Sequence, residues 1–313
     1  MAKAVSTMSK QRRDDDGHRL FLFLQKEYGI RVKKSTRIKP MVFIIETDRG
    51  CFVIKAYDTF LEASRQQVFF RLLSKSGFRA APAIEAVIRY ENTYFTLQTY
   101  IPFSRPLDYA LETDRADSLA LLHMYHICAQ PLLDYPFFGA MLPHYPLYER
   151  WQKRYAQFLH AFPALQQRMK EEELSFILAS ARSFFERFPS YAQAFMAEKK
   201  TIIHGDVASH NFLRTERGLY LIDYDLLAVA PPAIDYLQFA SRILPHVQWS
   251  FSYFERHPLF QPLVAQPWFL VALLFPADVM REWRTMMKRN KPFTLSHFEH
   301  RKRFVQKIMN MIR

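Results

Sequence analysis

The chain contains 313 residues and carries a formal net charge of +13, from 43 Lys and Arg against 30 Asp and Glu. This length exceeds the size at which a single hydrophobic core usually stops growing, so we expect two lobes rather than one. The only cysteines, Cys51 and Cys128, lie in no metal-ligand spacing, which argues against a cysteine metal site and favours a reducing, cytoplasmic setting.

The positive charge has two interpretations that the sequence leaves open. It favours anionic partners such as nucleotides, acidic proteins or anionic surfaces, but it also suits a solvated exterior. The basic residues are spread through the chain and concentrate mainly at its two ends without forming one stripe. Because no recognised nucleic-acid module accompanies the charge, we predict no nucleic-acid partner.

Two segments bear on a signal peptide or a membrane span, and neither has the required pattern. Met1 to Gly17 has no apolar h-region, so we interpret it as a disordered basic tail rather than a signal or anchor. The longest apolar run, Trp268 to Phe275, is far too short to span a bilayer and predicts a buried helix. We therefore predict no membrane span.

Residues 18–101 predict a first lobe made of a small antiparallel sheet and one main helix. The pattern from His18 to Tyr28 indicates a short helix that ends at Gly29. Apolar and alternating segments then predict five strands, the second and third joined by the turn at residues 48–50 and the last ended by Pro102. These segments are Ile30–Lys39, Met41–Thr47, Cys51–Tyr57, Ile84–Arg89 and Thr93–Ile101.

The main helix of this lobe has a clear start signal. Thr59 and Glu62 have capping-box spacing before an apolar run that continues to Leu73, and Gly77 lies just beyond it. Lys55 lies within the preceding strand, where its charged side chain must project to one face of the sheet. It could snorkel at a sheet edge, but its position after a hairpin strand and before a helix favours a phosphate-binding role.

Residues 102–313 predict a larger, mostly helical second lobe. Leu119, Leu122 and His126 recur at helix spacing, and the Pro-rich segment Pro131–Pro146 suggests a long loop or a crossing connection. Two amphipathic helices are expected next, the first with Trp151, Tyr155, Phe158 and Phe162 on one face and the second over Leu174–Phe188. His123, His126 and Cys128 could suggest a metal site, but no fourth ligand has a recognisable spacing, and helix-packed histidines are common.

The segment from His204 to Asp225 carries the chemistry. Strand 201–203 delivers His204, a tight loop follows with Asp206, and Asn211 comes after four intervening residues, as in protein-kinase catalytic loops. A hairpin through Gly218 then ends at Asp223. Asp206 would accept or orient the proton of an acceptor hydroxyl, while Asn211 and Asp223 supply the oxygen ligands that Mg²⁺ prefers.

A nearly all-apolar helix follows, over Ile234–Leu244, with Pro231 and Pro232 well placed to start it. Asp235, near its beginning, would be a buried carboxylate, which requires hydrogen-bond donors around it. Two other polar groups near the loop each have two alternative assignments. Asp225 shares the predicted strand face of Asp223 or only caps the turn, and His210 lines the acceptor site or fills the loop.

The motifs H-G-D-x-x-x-x-N, at residues 204–211, and I-D-Y-D, at residues 222–225, resemble those of the aminoglycoside phosphotransferase and choline kinase superfamily. The segments HGDVASHNFL and LIDYDLLAVAPPAIDYLQFASRIL are similar to the CotS and YutH group of spore-coat kinase-like proteins of endospore-forming bacteria. The resemblance covers most of the chain. It implies an α+β, bilobal, protein-kinase-like fold, use of ATP and Mg²⁺, and an association with spore-coat proteins.

Matching positions imply the site residues. Lys55 corresponds to the nucleotide-phosphate lysine and Asp206 to the catalytic aspartate, while Asp235 would brace the His204 loop. Asn211 and Asp223 correspond to the metal ligands. We also assign Glu62, Thr99 and Ile101 to the nucleotide side.

Two features of the first lobe depart from the kinase pattern. No glycine lies between Gly29 and Val42, where a kinase usually carries G-x-G-x-x-G, so backbone amides cannot approach the phosphates in the usual way. Glu62, the acid expected to pair with Lys55, already serves as a helix cap, and Gln66 one turn later has no charge. Four basic side chains could replace the amides: Lys33, Lys34, Arg37 and Lys39.

Two functions are therefore carried forward. The first is an ATP- and Mg²⁺-dependent phosphotransferase that acts on a hydroxyl of a small molecule or protein, with a neutral or acidic acceptor more compatible with the positive surface than a polycation. The second is a weak or inactive pseudokinase that serves as an interaction protein of the spore coat. The fold alone does not decide between them.

Overall fold

The computed structural model describes residues 17–288 and 294–312, and their contacts divide into two units. The first unit contains the described residues up to Arg105 together with Asp134–Met141 and Leu213–Ile222. The second contains Pro106–Leu133, Leu142–Phe212 and the described residues from Asp223 onwards. Residues 1–16 of the predicted tail lie outside the described part. The division into lobes at residue 101 stays a prediction.

The first unit is built on a five-stranded antiparallel sheet. Its strands are β1 Val32–Lys39, β2 Val42–Thr47, β3 Gly50–Tyr57, β4 Ile84–Tyr90 and β5 Thr93–Thr99. Their order in the sheet is β1-β2-β3-β5-β4, which makes β3 the central strand. Side chains along a strand alternate between the two faces of the sheet, and the fully buried side chains of Ile45, Ile54 and Phe95 share one face. A helix over residues 17–28, α1, adds Leu20 and Leu24 to the core on that face.

Helix α2, Phe60–Lys75, begins at the predicted capping box, which is confirmed. The backbone N–H of Glu62 donates to Thr59 Oγ1 at 3.2 Å, and the backbone N–H of Thr59 donates to Glu62 Oε2 at 3.1 Å. Two donors that a helix start leaves unsatisfied are thereby paired.

The hairpin predicted after the His204 loop is also present. Strands β8, Phe212–Thr215, and β9, Gly218–Leu221, are neighbours in a small sheet. Gly218 has a φ of 131°, a conformation that favours glycine at the turn. Thr215 Oγ1 accepts the Arg217 N–H and donates to the Gly218 carbonyl, each at 3.1 Å.

The second unit is mostly helical, and a two-stranded sheet of β7 and β10 adjoins the helices. The amphipathic face predicted with Trp151 and Phe162 is divided between two helices, because α5, Leu147–His160, ends before Phe162 and α6, Phe162–Gln166, begins there. The second amphipathic segment and the apolar segment are covered, to within one residue of their predicted ends, by α7, Glu171–Arg187, and α9, Ala233–Ile243. No helix within the described ranges is long and apolar enough to cross a bilayer. A short strand, β6 Arg105–Pro106, lies at the point in the sequence where the first unit gives way to the second. The other elements are α3 Glu112–Ala129, α5 Leu147–His160, α6 Phe162–Gln166, α7 Glu171–Arg187, α8 Ala192–Ala197, β7 Thr201–Ile203, β10 Ala228–Ala230, α9 Ala233–Ile243, α10 Phe251–Arg256, α11 Gln261–Val264, α12 Pro267–Leu273, α13 Ala277–Lys288 and α14 Phe298–Met311.

The prediction of a long loop over Pro131–Pro146 is wrong. A 3₁₀ helix, Gln130–Asp134, and a short helix, α4 Pro136–Ala140, occupy its first part. Proline is tolerated in the first turn of a helix because the N–H it lacks would have no partner there. Leu132 and Phe138 are both buried, so apolar packing holds these short helices.

Candidate active site

The central loop of the site, which begins at His204, follows directly after strand β7. It pairs antiparallel with β10, its three residues are buried, and the chain then passes through His204 and Gly205. His204 is fully buried, with its ring centroid 4.6 Å from that of Tyr224 and 6.2 Å from that of Tyr125. The loop therefore starts from a fixed, aromatic-packed position.

Asp235 of α9 holds the beginning of this loop. Its carboxylate accepts the backbone N–H of His204 at 2.7 Å and that of Gly205 at 2.9 Å, and it lies 2.9 Å from His126 Nε2. The Asp235 side chain is 0% exposed. A charge can be buried in an apolar helix when its oxygens are hydrogen-bonded in this way.

His126 was one of three residues whose spacing suggested a metal site, but in the structure it has a different role. It belongs to a hydrogen-bonded pair with Asp235, and its ring packs edge-on against Tyr236. Across residues 17–288 and 294–312, no group of three or more His, Cys, Asp or Glu side chains could hold a metal ion. The helix-packing alternative describes His126 better.

Gly205 permits the tight turn, and its replacement by alanine should be strongly destabilising. Its φ is +81°, and a Cβ atom there would lie 2.3 Å from the carbonyl oxygen of Leu226. Backbone atoms cannot move aside cheaply, so we expect Gly205→Ala to lower the free energy of unfolding by about 2–4 kcal/mol. Chemical denaturation would measure it. Gly77→Ala is the control for positive φ alone, because nothing lies within 4 Å of a Cβ there.

Asp206 follows directly and is one-third exposed. Its backbone N–H donates to His204 Nδ1 at 3.3 Å, and its carbonyl accepts from Asn211 Nδ2 at 2.9 Å. Asn211 is itself buried, so this contact fixes its amide and directs its oxygen away from the carbonyl of Asp206. The loop therefore presents a carboxylate and an oriented amide oxygen.

Asp223 lies between β9 and a 3₁₀ turn, Tyr224–Leu226, in the left-handed conformation with φ of 67°. Left-handed backbone is uncommon outside glycine, and it clusters at functional sites. Asp225 does not share a strand face with Asp223, as the sequence suggested, because the chain has already turned. Asp225 lies in the 3₁₀ turn and is exposed, as is His210.

The residues assigned to the nucleotide side lie in the first unit. Lys55 is half-buried on the central strand β3, where it pairs with Val42 and Thr96. Glu62 Oε2 accepts from both the N–H and the hydroxyl of Thr59, and Gln66 is buried in α2.

Thr99 and Ile101 both line a cleft of the first unit. The backbone N–H and the hydroxyl of Thr99 are both bonded to the Ala83 carbonyl, at 2.9 and 3.2 Å. These two donors are therefore already used within the protein, and the assignment of Thr99 and Ile101 to the nucleotide side stays a prediction.

The sequence did not reveal Arg242. This arginine of α9 donates to Asp206 Oδ1 at 2.6 Å, and its side chain is 19% exposed. Burial and the nearby Arg281 lower its pKa, and the Asp206 carboxylate opposes that shift. Arg242 lies seven residues after Asp235, two helical turns along the same face, so helix periodicity contained a usable signal.

A cavity of about 170 Å³ opens beside Asp206 in the second unit. Its apolar wall includes Trp151 and Phe275, whose rings stack with centroids 4.3 Å apart. An apolar cavity of roughly 150 Å³ admits a molecule such as benzene, so this one has room for part of a small molecule.

Residues 34–252 match the model of the phosphotransferase enzyme family. No curated protein matches the chain by sequence. A choline kinase from Cryptosporidium parvum Iowa II has a TM-score of 0.56 at 14% identity, over 95% of this chain and 96% of that one. Choline kinase LicA from Streptococcus pneumoniae has a TM-score of 0.51 at 13% identity, over 97% and 99%.

An aminoglycoside phosphotransferase structure is similar as well. A thermostable mutant of APH(4)-Ia has a TM-score of 0.53 at 13% identity, over 94% of this chain and 98% of that one. LicA has also been solved with AMP, and the APH(4)-Ia mutant with ADP and hygromycin B. At these identities the likeness concerns the fold alone. The predicted kinase-like fold, with an antiparallel-sheet N-terminal part and a mostly helical remainder, is confirmed.

Proposed function

This chain belongs to the phosphotransferase enzyme family, and on that basis we propose that it transfers the γ-phosphate of ATP, with Mg²⁺, to a hydroxyl of a small molecule or protein. The observation that carries the proposal is the position of Asp206. This carboxylate is held by a braced loop and lines a cavity that could admit an acceptor. A one-third exposed carboxylate in such a place is available to a reacting hydroxyl.

The proposed reaction needs one proton acceptor and one leaving group. The oxygen of the acceptor hydroxyl forms a bond to the γ-phosphorus, and the bond from that phosphorus to the bridging oxygen of ADP breaks. Asp206 takes the proton of the hydroxyl. Arg242 bonds to Oδ1 of Asp206 and so orients the carboxylate for this role.

Asn211 and Asp223 have the chemistry expected of Mg²⁺ ligands. An amide oxygen and a carboxylate are hard oxygen ligands, and Mg²⁺ in such sites usually takes only one or two protein ligands, with water and phosphate completing its shell. The amide of Asn211 already donates through Nδ2 to Asp206, which leaves its oxygen as the group for a cation. When bound, Mg²⁺ neutralises the charge on the transferred phosphoryl group.

On the nucleotide side, the proposal rests on Lys55. A lysine of the third strand contacts phosphates in protein kinases, and Lys55 occupies the central strand of the sheet here. The nucleotides bound to similar structures are AMP and ADP, which supports an adenine nucleotide for this chain. Thr99 and Ile101 remain proposed to lie at the nucleotide cleft.

One observation favours a second function, the pseudokinase and coat-protein role. Strand β1 is VKKSTRIK, with every residue after Val32 exposed and no glycine among them. Phosphate binding there would depend on lysine and arginine side chains rather than on closely approaching backbone amides. The similarity of the catalytic segments to spore-coat kinase-like proteins suggests where such a scaffold would serve, at the spore coat.

Nucleotide binding separates the two functions. We expect Mg²⁺ and ATP, at about a hundredfold over the dissociation constant, to raise the Tm of wild type by roughly 5 °C or more. Asp223→Ala should abolish most of that rise because it removes a proposed metal ligand, whereas Asp134→Ala, which removes an exposed acid that lines neither the nucleotide cleft nor the cavity beside Asp206, should not. Absence of any rise in wild type would leave the structural role as the better account.

A further inference from the structure

We propose that the acceptor is a small hydroxyl-bearing molecule that also carries a phosphate or carboxylate group, and that arginines of the cavity beside Asp206 bind this group. The inference rests on the proposed phosphotransfer, since it names the class of molecule that receives the phosphoryl group. It is carried by the charge of the cavity, by the pairing of its arginines and by its unpaired buried donors.

The cavity is strongly basic. Two aspartates line it, Asp206 and Asp278, and each is already engaged by an arginine. Arg242 bonds to Asp206, and Arg301 makes a two-pronged contact with Asp278. The cavity contains five arginines in all: Arg150, Arg154, Arg242, Arg281 and Arg301. Three positive charges are therefore left without a carboxylate on the cavity wall.

These three arginines have weak partners within the protein. Arg150 lies over the ring of Tyr145, with its guanidinium carbon 4.8 Å from the centroid. Arg281 reaches its neighbour Glu282 only at 3.4 Å. Arg154 makes no side-chain hydrogen bond or ion pair to any residue in the described ranges. All three are half-buried, so water replaces these missing partners only in part.

The arginines also repel one another. Burial is the main cause that lowers the pKa of Arg154, Tyr145 opposes the shift, and the charges of Arg150 and Arg281 add to it. Like charges held together in a partly dry cavity are unfavourable unless an anion lies among them. Guanidinium groups bind phosphate and carboxylate through paired, charge-assisted hydrogen bonds, and a bound anion would remove this repulsion.

Two further donors point to the same ligand. The Ser180 hydroxyl and the Trp249 indole N–H are buried cavity-lining groups with no hydrogen-bond partner among the described residues. Buried donors without partners are rare in folded proteins and commonly mark a ligand or water position. A phosphate or carboxylate accepts from several donors at once, so it matches a wall rich in N–H and O–H groups.

The same wall disfavours cations. Choline, which names two of the similar structures, carries a quaternary ammonium. Such a group would meet three guanidinium groups that no carboxylate of the cavity wall pairs with. The negative charge of Asp206 is already shared with Arg242. The acceptor of this chain therefore belongs to a class of molecules with negative charge, whereas choline is a cation.

Calorimetric titration with inorganic phosphate tests the proposal on the full chain, without nucleotide or Mg²⁺. Arg154→Gln should weaken phosphate binding about tenfold to a hundredfold, because it removes a charge-assisted contact. Lys153→Gln is the matched control, since it makes the same charge change at the exposed neighbouring position of α5. It should bind phosphate as wild type does. Equal binding by both variants would overturn the proposal.

Lys55→Met distinguishes the cavity from the nucleotide side. A loss of phosphate binding in this variant, with Arg154→Gln unaffected, would place the anion at Lys55 and refute the inference. Acetate titrated in parallel separates the two headgroups, because the tighter ion identifies whether phosphate or carboxylate is preferred. Failure of both ions to bind to wild type would also refute it.

The outcome is separable from that of the proposed function. ATP-induced stabilisation that depends on Asp223, together with phosphate binding indifferent to Arg154, would support phosphotransfer and reject an anionic acceptor. Phosphate binding that depends on Arg154 without any ATP-induced stabilisation would retain the anion site but reject its assignment to an acceptor.

Discussion

Asp206→Ala is expected to lower phosphotransfer by about a hundredfold or more while leaving ATP affinity nearly unchanged. The carboxylate is proposed to take the hydroxyl proton, whereas the proposed contacts to ATP and Mg²⁺ come from other side chains, those of Lys55, Asn211 and Asp223. Initial rates of ADP formation from ATP in the presence of hydroxyl-bearing phosphate or carboxylate compounds would measure the first effect, and ATP-induced shifts in Tm would measure the second. Equal activity in the mutant would remove Asp206 from the mechanism.

The contact between Arg242 and Asp206 gives a second expected result for Asp206→Ala, one that distinguishes loss of catalysis from loss of the fold. Removal of Asp206 leaves Arg242 without its ion-pair partner, and its side chain is only 19% exposed. The cavity then gains net positive charge, so Asp206→Ala should bind inorganic phosphate at least as tightly as wild type. A variant that lost activity because its fold was damaged would lose phosphate binding too. Asp206→Asn, with nearly the same volume, serves as the control for packing.

Asp235→Ala should produce the largest loss of stability. It removes a fully buried carboxylate that accepts from the backbone of His204 and Gly205 and bonds to His126. Two buried N–H groups and an imidazole would lose their partner, so we expect a loss of about 3–5 kcal/mol in the free energy of unfolding. Urea denaturation followed by circular dichroism would measure this value.

Two variants sharpen the stability experiment. Asp235→Asn keeps one acceptor oxygen but turns an amide N–H₂ towards a backbone donor, so its loss should be intermediate. Asp134→Ala removes an exposed carboxylate and should change stability by no more than about 0.5 kcal/mol. A loss below about 1 kcal/mol for Asp235→Ala would contradict the bracing role of its carboxylate.

Local patterns predicted much of the fold because the relevant interactions lie close together in the chain. The capping box joins residues three apart, and the turn at Gly218 joins two adjacent strands, so propensity and spacing suffice. The short helix over Pro136–Ala140 was missed, since its proline favoured an interpretation as loop and the burial of Phe138 is not visible in the sequence.

The candidate site was predictable only in part. The spacing from His204 to Asn211 indicated the loop. The hairpin predicted to end at Asp223 ends instead at Leu221, and Asp223 adopts a left-handed conformation that turns the chain before Asp225. Pairing of Asp206 with Arg242 spans 36 residues. Helix periodicity shows which face an arginine occupies, but not which loop that face meets.

Helix α9 carries two side chains that contact the same loop from positions two helical turns apart. Asp235 holds the backbone where the loop begins, and Arg242, seven residues on, holds the carboxylate at its tip. Their angular phase is therefore fixed by the helix. One residue inserted between them would rotate Arg242 by about 100° around the helix axis and away from Asp206, without touching the loop sequence. The spacing within α9 is thus as specific a requirement of the site as the loop motif itself.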